Sequence, residues 1–101
     1  MKNDSYYSFF INFSSESKLK ILLALKNGPM NVSSIVKAVN EEQSAVSHNL
    51  KKLAQCSIVK VQKKGKERIY SLNGDTVAPL MKIVEKHIKG NCSFRCPKCK
   101  K

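Results

Sequence analysis

Between Gln43 and Lys52 the chain sets short polar side chains, Gln43, Ser44, Ser47 and His48, beside two lysines, Lys51 and Lys52, at spacings of three and four residues. On a helix such residues share a face. Gln can hold an adenine edge with two hydrogen bonds, His can donate to a base or phosphate acceptor, and Lys51 and Lys52 suit the phosphate backbone. This is the chemistry of duplex recognition rather than of bond making. A second basic group follows at Lys63, Lys64, Lys66 and Arg68. A third chemical group closes the chain, where Cys92, Cys96 and Cys99 place three thiols close together. Cys96-Pro97-Lys98-Cys99 has the Cys-x-x-Cys spacing with which two sulfurs grip one soft metal such as zinc. Three thiolates are one short of a closed tetrahedral site, which His87 or a cysteine of a second chain would complete. Arg95 and the neighbouring lysines stabilise thiolates, which serves metal capture and redox reactivity alike. A basic tail with idle cysteines is the plain alternative.

The chain has 101 residues, 42% hydrophobic and 26% charged, which suits one globular domain. Its 19 Lys and Arg against 7 Asp and Glu give a net charge of +12 and point to a polyanionic partner. The charge is not spread evenly. Residues 51–68 hold seven bases and one acid, and residues 82–101 hold seven and one again, whereas the first half is nearly neutral. The longest purely apolar run, Ile21 to Leu25, falls far short of the roughly 20 residues that cross a bilayer, so no membrane partner is expected. No stretch of signal-peptide length precedes it, which predicts a cytoplasmic protein whose cysteines are thiols or metal ligands rather than disulfides. No nucleophile–base pair, Gly-rich phosphate loop or carboxylate pair at catalytic spacing is present, so an enzyme is not expected.

The elements that must position these groups follow from hydrophobic period. Tyr6, Phe9, Phe10 and Phe13 give residues 5–13 one greasy helical face, which either packs on the core or forms a subunit interface. Ser14-Ser15 can cap a helix over 16–26 with Leu19, Leu22 and Leu23 in register, stopped by Gly28-Pro29. Asn31 caps a third helix over 32–39, and a three-residue turn leads into a fourth over 43–55, with Ala45, Val46, Leu50, Leu53 and Ala54 buried. Cys56 then reads as a buried structural thiol. Two-residue alternation marks strands at 58–62 and 68–72, with Lys63 to Lys66 as their turn. A last helix, capped by Asp75 or Thr76, carries Val77, Leu80, Met81, Val84, His87 and Ile88 on one face and ends at Gly90. The expected fold is mainly α with a small β-hairpin, a winged helix-turn-helix of about five helices plus a two-stranded wing. Residues 1–90 form the DNA-binding and dimerisation domain and 91–101 a basic cysteine-containing tail.

Ser17-Lys18-Leu19-Lys20-Ile21-Leu22, the run from Gln43 to Leu53, and Gly65-Lys66-Glu67-Arg68-Ile69-Tyr70-Ser71-Leu72 together resemble the ArsR family of transcriptional repressors. The likeness covers roughly residues 15–89. Asn49 stands where the family commonly has His, and Cys56 where a Gly usually ends the recognition helix. The resemblance implies a homodimer joined through its first and last helices, with residues 43–52 in the major groove and the hairpin cations on flanking phosphates. Many members of the family are derepressed by metals. The third-helix thiolate site is missing from Met30-Asn31-Val32-Ser33-Ser34. On the closing helix Asp75 and His87 are present, but Val77, Ile88 and Asn91 fall where further ligands belong. For His87 an interfacial or helix-terminal role competes with ligation. The function expected is a sequence-specific double-stranded DNA-binding regulator, a homodimeric repressor that responds to a metal or oxidant at its cysteines. The alternative is a winged-helix protein-interaction module of a larger transcription or replication assembly with a structural metal.

Overall fold

Two of the helix starts are set by a small polar residue, Ser15 and Asn31, whose side chain accepts from an N–H of the first turn. A computed structural model of the chain describes residues 3–91. Helix α1 (Asn3–Ser14) passes into α2 (Glu16–Leu25) through Ser15 alone, whose hydroxyl accepts from the Lys18 N–H at 3.3 Å. The two helices are tied by Asn12, the buried polar residue of α1. Its Nδ2 donates to the carbonyls of Ser8 and Phe9, and its Oδ1 accepts from Lys18 Nζ at 3.2 Å.

Gly28, at φ 136°, turns the chain into β1 (Met30–Asn31). Asn31 then serves twice, as the end of β1 and as the cap of α3 (Val32–Val39), its Oδ1 accepting from Ser34 N–H at 2.8 Å. Asn40 ends α3 in the left-handed region, and the Glu41-Glu42 turn leads to α4 (Gln43–Gln55). Glu41 fixes that turn: its Oε2 accepts from Ser17 Oγ at 3.4 Å and lies 3.5 Å from Lys20 Nζ, so α2 holds the start of α4.

Helix α4 closes with a backbone lock. Ile58 N–H donates to Leu53 O and Ser57 N–H to Ala54 O, both at 3.0 Å, with Ser57 left-handed at φ 58°. The residue that needs glycine-like freedom is therefore Ser57, and Cys56 is exposed rather than buried, because the chain must turn away from the core before Ile58 re-enters it.

Strands β2 (Val59–Lys64) and β3 (Glu67–Leu72) are joined by a two-residue turn in which Gly65 takes φ 61°. Lys63 and Lys64 thus extend the strand instead of forming the loop. The sheet has three strands in the order β1-β3-β2, all antiparallel, so the wing hairpin gains a short third strand. Asn73 links the sheet to α5 (Val77–Asn91), donating to Ser57 O and accepting from Asp75 N–H. Helix α5 runs through Gly90 instead of ending there.

The core joins Ile21, Leu22 and Leu25 of α2, Ile35 and Val39 of α3, Val46, Leu50 and Leu53 of α4, and Ile58, Val59 and Tyr70 of the sheet, with Val77 and Met81 of α5 beside them. The expected α2 stripe is displaced: Ile21 and Leu25 point inward while Leu23 is exposed and Leu19 half-buried. Helix α2 has two apolar faces, one toward α3 and α4 and one toward α1 and α5. On α4, Ala45 is exposed and the stripe narrows to Val46, Leu50 and Leu53. Leu50 is fully buried at the centre, so Leu50→Ala should cost about 2–5 kcal/mol, read as a lower urea midpoint with the slope unchanged.

Candidate nucleic-acid interface

Burial of Val46, Leu50 and Leu53 turns the opposite side of α4 outward, and Gln43, Ser44, Ser47, His48, Lys51 and Lys52 are all exposed on it. Helical spacing sorts them into two rows. The row Gln43, Ser47, Lys51, Gln55 faces the sheet: Ser47, Lys51 and Gln55 line a concavity of about 620 Å³ with Val61, Arg68 and Tyr70. The row Ser44, His48, Lys52 turns the other way, and Lys52 lines a concavity between α4 and α1 with Tyr7, Lys18 and Cys56. Lys51 and Lys52, adjacent in sequence, thus serve different surfaces. Glu42 makes no side-chain cap bond, so the first-turn N–H groups of α4 stay open to an acceptor.

Strand register divides the wing cations in the same way. Val61 pairs with Tyr70 and Lys63 with Arg68, so those four share the sheet face that overlooks α4. Lys64 stands opposite Glu67 on the other face, and Glu67 also accepts from Asn31 Nδ2 at 3.4 Å. Lys66 lies at the tip beside Arg68, Asn31 and Ser33 in a smaller concavity. Like charges directly opposed across two strands are destabilising. Lys63 and Arg68 form such a pair, and neither has a carboxylate partner among the described residues. A fold gains nothing from that arrangement, whereas a phosphate between them would relieve it.

Gln55 and Val61 escaped the sequence reading. Gln55 continues the Gln43–Ser47–Lys51 row by one more step of four, a signal present in the spacing. Val61 occupies an alternating strand position that reads as core, and only the depth of α4 against the sheet reveals that it is 48% exposed.

A separate apolar surface covers the far side of the domain. Phe10 and Phe13 of α1, Leu19 and Leu23 of α2, and Leu80, Val84 and Ile88 of α5 line a groove of about 440 Å³, flanked by the Lys26–Glu85 ion pair. Lys26, by hydrogen bond and then by charge, holds the Glu85 carboxyl below its usual range. Phe9 packs edge-on to Phe10 at 5.1 Å and is half-buried against the core, so α1 packs on the core through Phe9 and Phe13 and leaves Phe10 exposed.

Among the described residues no three of His, Cys, Asp and Glu gather to hold a metal, and no helix is long and apolar enough to cross a membrane. The candidate ligands Cys92, Cys96 and Cys99 lie outside the described residues.

Comparison with known proteins matches this geometry. The family described as bacterial regulatory protein, arsR family, matches residues 15–61. The chain is 42% identical over 65 residues to the HTH-type transcriptional regulator NmtR of Mycobacterium tuberculosis, a span of 64% of this chain and 54% of that one. It is 32% identical over 85 residues to the HTH-type transcriptional regulator MJ1325 of Methanocaldococcus jannaschii, covering 83% of this chain and 96% of the relative. It is 31% identical over 81 residues to the transcriptional repressor SmtB homolog of Synechocystis, covering 80% and 61%. The chain therefore spans little more than half the length of NmtR and under two thirds of the SmtB homolog. In structure it superposes on the winged helix-turn-helix DNA-binding domain of Mb0332 from Mycobacterium bovis with a TM-score of 0.82, 22% identity and coverage of 92% and 86%. NolR from Sinorhizobium fredii gives 0.73, 26%, and coverage of 87% and 85%. With its helix-turn-helix, its three-stranded sheet and an alignment that spans 96% of MJ1325, the chain belongs to the arsR family of bacterial regulatory proteins.

Proposed function

We propose that the protein is a homodimeric, sequence-specific, double-stranded DNA-binding repressor that acts in the cytoplasm, with its cysteine-rich end as the responsive element. The observation that carries this reading is that Ser47 and Lys51 of the exposed α4 row share one concavity with Arg68 of the wing, which stands directly across the strand pair from Lys63. The α4 row enters the major groove and the wing cations grip the flanking strand. One winged helix buries little DNA surface, so tight binding takes two, centred about 34–36 Å apart on a palindrome. The open apolar groove of α1, α2 and α5 supports pairing, and the Mb0332 domain, of the same fold, is homodimeric. Repression is favoured because the Synechocystis relative is a transcriptional repressor.

The test is base-by-base. Footprinting identifies the operator, and binding of the Gln43→Ala and Ser47→Ala proteins to operator and random duplexes is then compared. Each should reduce the preference for operator by about 1–3 kcal/mol at one position per half-site while random-duplex binding stays unchanged. Equal losses on both duplexes would overturn the assignment of this row to base reading.

A further inference from the structure

We propose that the concavity between α1 and α4 is a second phosphate-binding surface, in which Lys18 and Lys52 hold the DNA strand that borders α4 on the side away from the wing. The proposal rests on the regulator reading above and gives Lys18, which lies outside the reading helix, a part in it.

A helix about 10–12 Å across fills a major groove about 12 Å wide, so its two flanks lie against the two backbones that border the groove. On α4 the flank of Ser47 and Lys51 belongs to the wing, because Arg68 shares its concavity. The other flank, Ser44, His48, Lys52 and Cys56, advances in steps of four along exposed positions and runs back toward α1. There Lys52 and Lys18 line a concavity of about 330 Å³ together with Tyr7, Gln55 and Cys56. Gln55 also borders the wing-side concavity, so the two hollows meet at the last turn of α4.

Two lysines and no acid line this hollow. Lys18 is half-buried, and the group it bonds is neutral: Asn12 Oδ1 accepts from its Nζ at 3.2 Å. Asn12 is itself buried and fixed by its bonds to the Ser8 and Phe9 carbonyls, so it holds the ammonium in place. It takes one of the three N–H donors and none of the charge. Lys20 and Lys26 of the same stretch are paired with Glu41 and Glu85, whereas neither Lys18 nor Lys52 has a carboxylate partner among the described residues. A partly desolvated cation without a counter-charge is costly, and an anionic oxygen between the two ammoniums removes that cost. Tyr7, 70% exposed at the rim, adds a hydroxyl of the kind that donates to backbone phosphates. The ligand that fits is a phosphodiester rather than a small phosphate ester, because the hollow continues the Ser44–His48 row at the reading edge.

The experiment uses the full chain. Affinity for operator and random duplexes is measured across a salt series for the parent, Lys18→Gln, Lys52→Gln and the double variant. The titrations are repeated on operators that carry single neutral methylphosphonate linkages on one strand or the other. Glutamine keeps part of the lysine stem and can still bond Asn12, and circular dichroism checks that the helices persist. Each single variant should weaken both duplexes about tenfold, the size of one charge-assisted hydrogen bond. The double variant should flatten the log–log slope by about 0.9 per protomer, one phosphate's share. Lys18→Arg, which keeps the charge, should retain the parent's slope. In the parent, neutral linkages on both strands of a half-site weaken binding. The double variant should become indifferent to those on one strand, and Lys63→Ala to those on the other. Alkylation of Cys56, located by peptide mass, should slow when operator is bound.

A double variant with the parent's slope overturns the clamp and leaves the regulator reading standing. So does one whose lost phosphates are the same as those lost by Lys63→Ala. Inorganic phosphate that shifts the NMR signals of Lys18 and Lys52, while both variants bind DNA as the parent does, overturns it too, since the hollow then holds a free anion. A parent that binds no duplex defeats the regulator reading, and the clamp falls with it.

Discussion

Replacing Val84 and Ile88 together by glutamate should leave a folded monomer whose operator affinity is at least about 100-fold below that of the parent. The two side chains are 46% and 40% exposed in the isolated chain, so the core of Leu22, Ile35 and Leu50 does not depend on them. They are nevertheless apolar and continuous with Phe10, Leu23 and Leu80 in one groove, an arrangement that single chains rarely leave in water. Covered by a second copy, this surface contributes about 25 cal/mol for each Å² removed from water, and two buried glutamates would oppose that association by desolvation. The loss in DNA affinity then follows from geometry, because a monomer engages one half-site and forfeits the tethered second contact. Sedimentation equilibrium, circular dichroism and operator titration together check it. A variant that stays dimeric, or one that is monomeric yet binds operator undiminished, would remove the seam from α5.

The contrast between α4 and its surroundings shows what a linear reading can reach. Helices α3 and α4 lie where the apolar period and the Asn31 cap place them, at Val32–Val39 and Gln43–Gln55, because the signals that define them are local. The exposure of Gln43, Ser47 and His48 was legible for the same reason. Strand β1 was not, since two residues show no alternation and owe their conformation to β3, forty residues away. The second apolar face of α2 was hidden because helical periodicity merges Leu19 and Leu23 with Leu22, and only the presence of α1 and α5 separates them. Cys56 looked like the residue closing α4, yet the left-handed turn falls one position later, at Ser57, where the hydrogen bonds to Leu53 and Ala54 require it. In the wing, composition shows four cations of equal standing. Register alone divides them, setting Lys63 against Arg68 on the α4 side and Lys64 against Glu67 on the other.

That division makes the sharpest expectation for DNA binding. Neutralising Lys51, Lys63 and Arg68 together by alanine should weaken operator and random DNA alike and flatten the salt dependence. Each phosphate contact contributes about 0.9 to the log–log slope, so the three remove about 2.7 per protomer and about twice that for a dimer on a palindrome. Lys64→Ala should do much less than Lys63→Ala, because Lys64 faces away from the groove and stands across from a carboxylate. The same substitution carries a second signature with the opposite sign. Opposed like charges across a strand pair cost a few tenths to about 1 kcal/mol, so Lys63→Ala should hold or raise the melting temperature of the free protein while its DNA affinity falls. A residue kept for packing would lose stability on truncation, and a merely solvated lysine would change neither property. Stability that rises as DNA binding declines identifies a cation retained for a phosphate that the free protein lacks, a cost in stability of the kind that functional sites impose. If Lys63 and Lys64 prove equivalent in both measurements, the wing does not bind DNA through the face that overlooks α4.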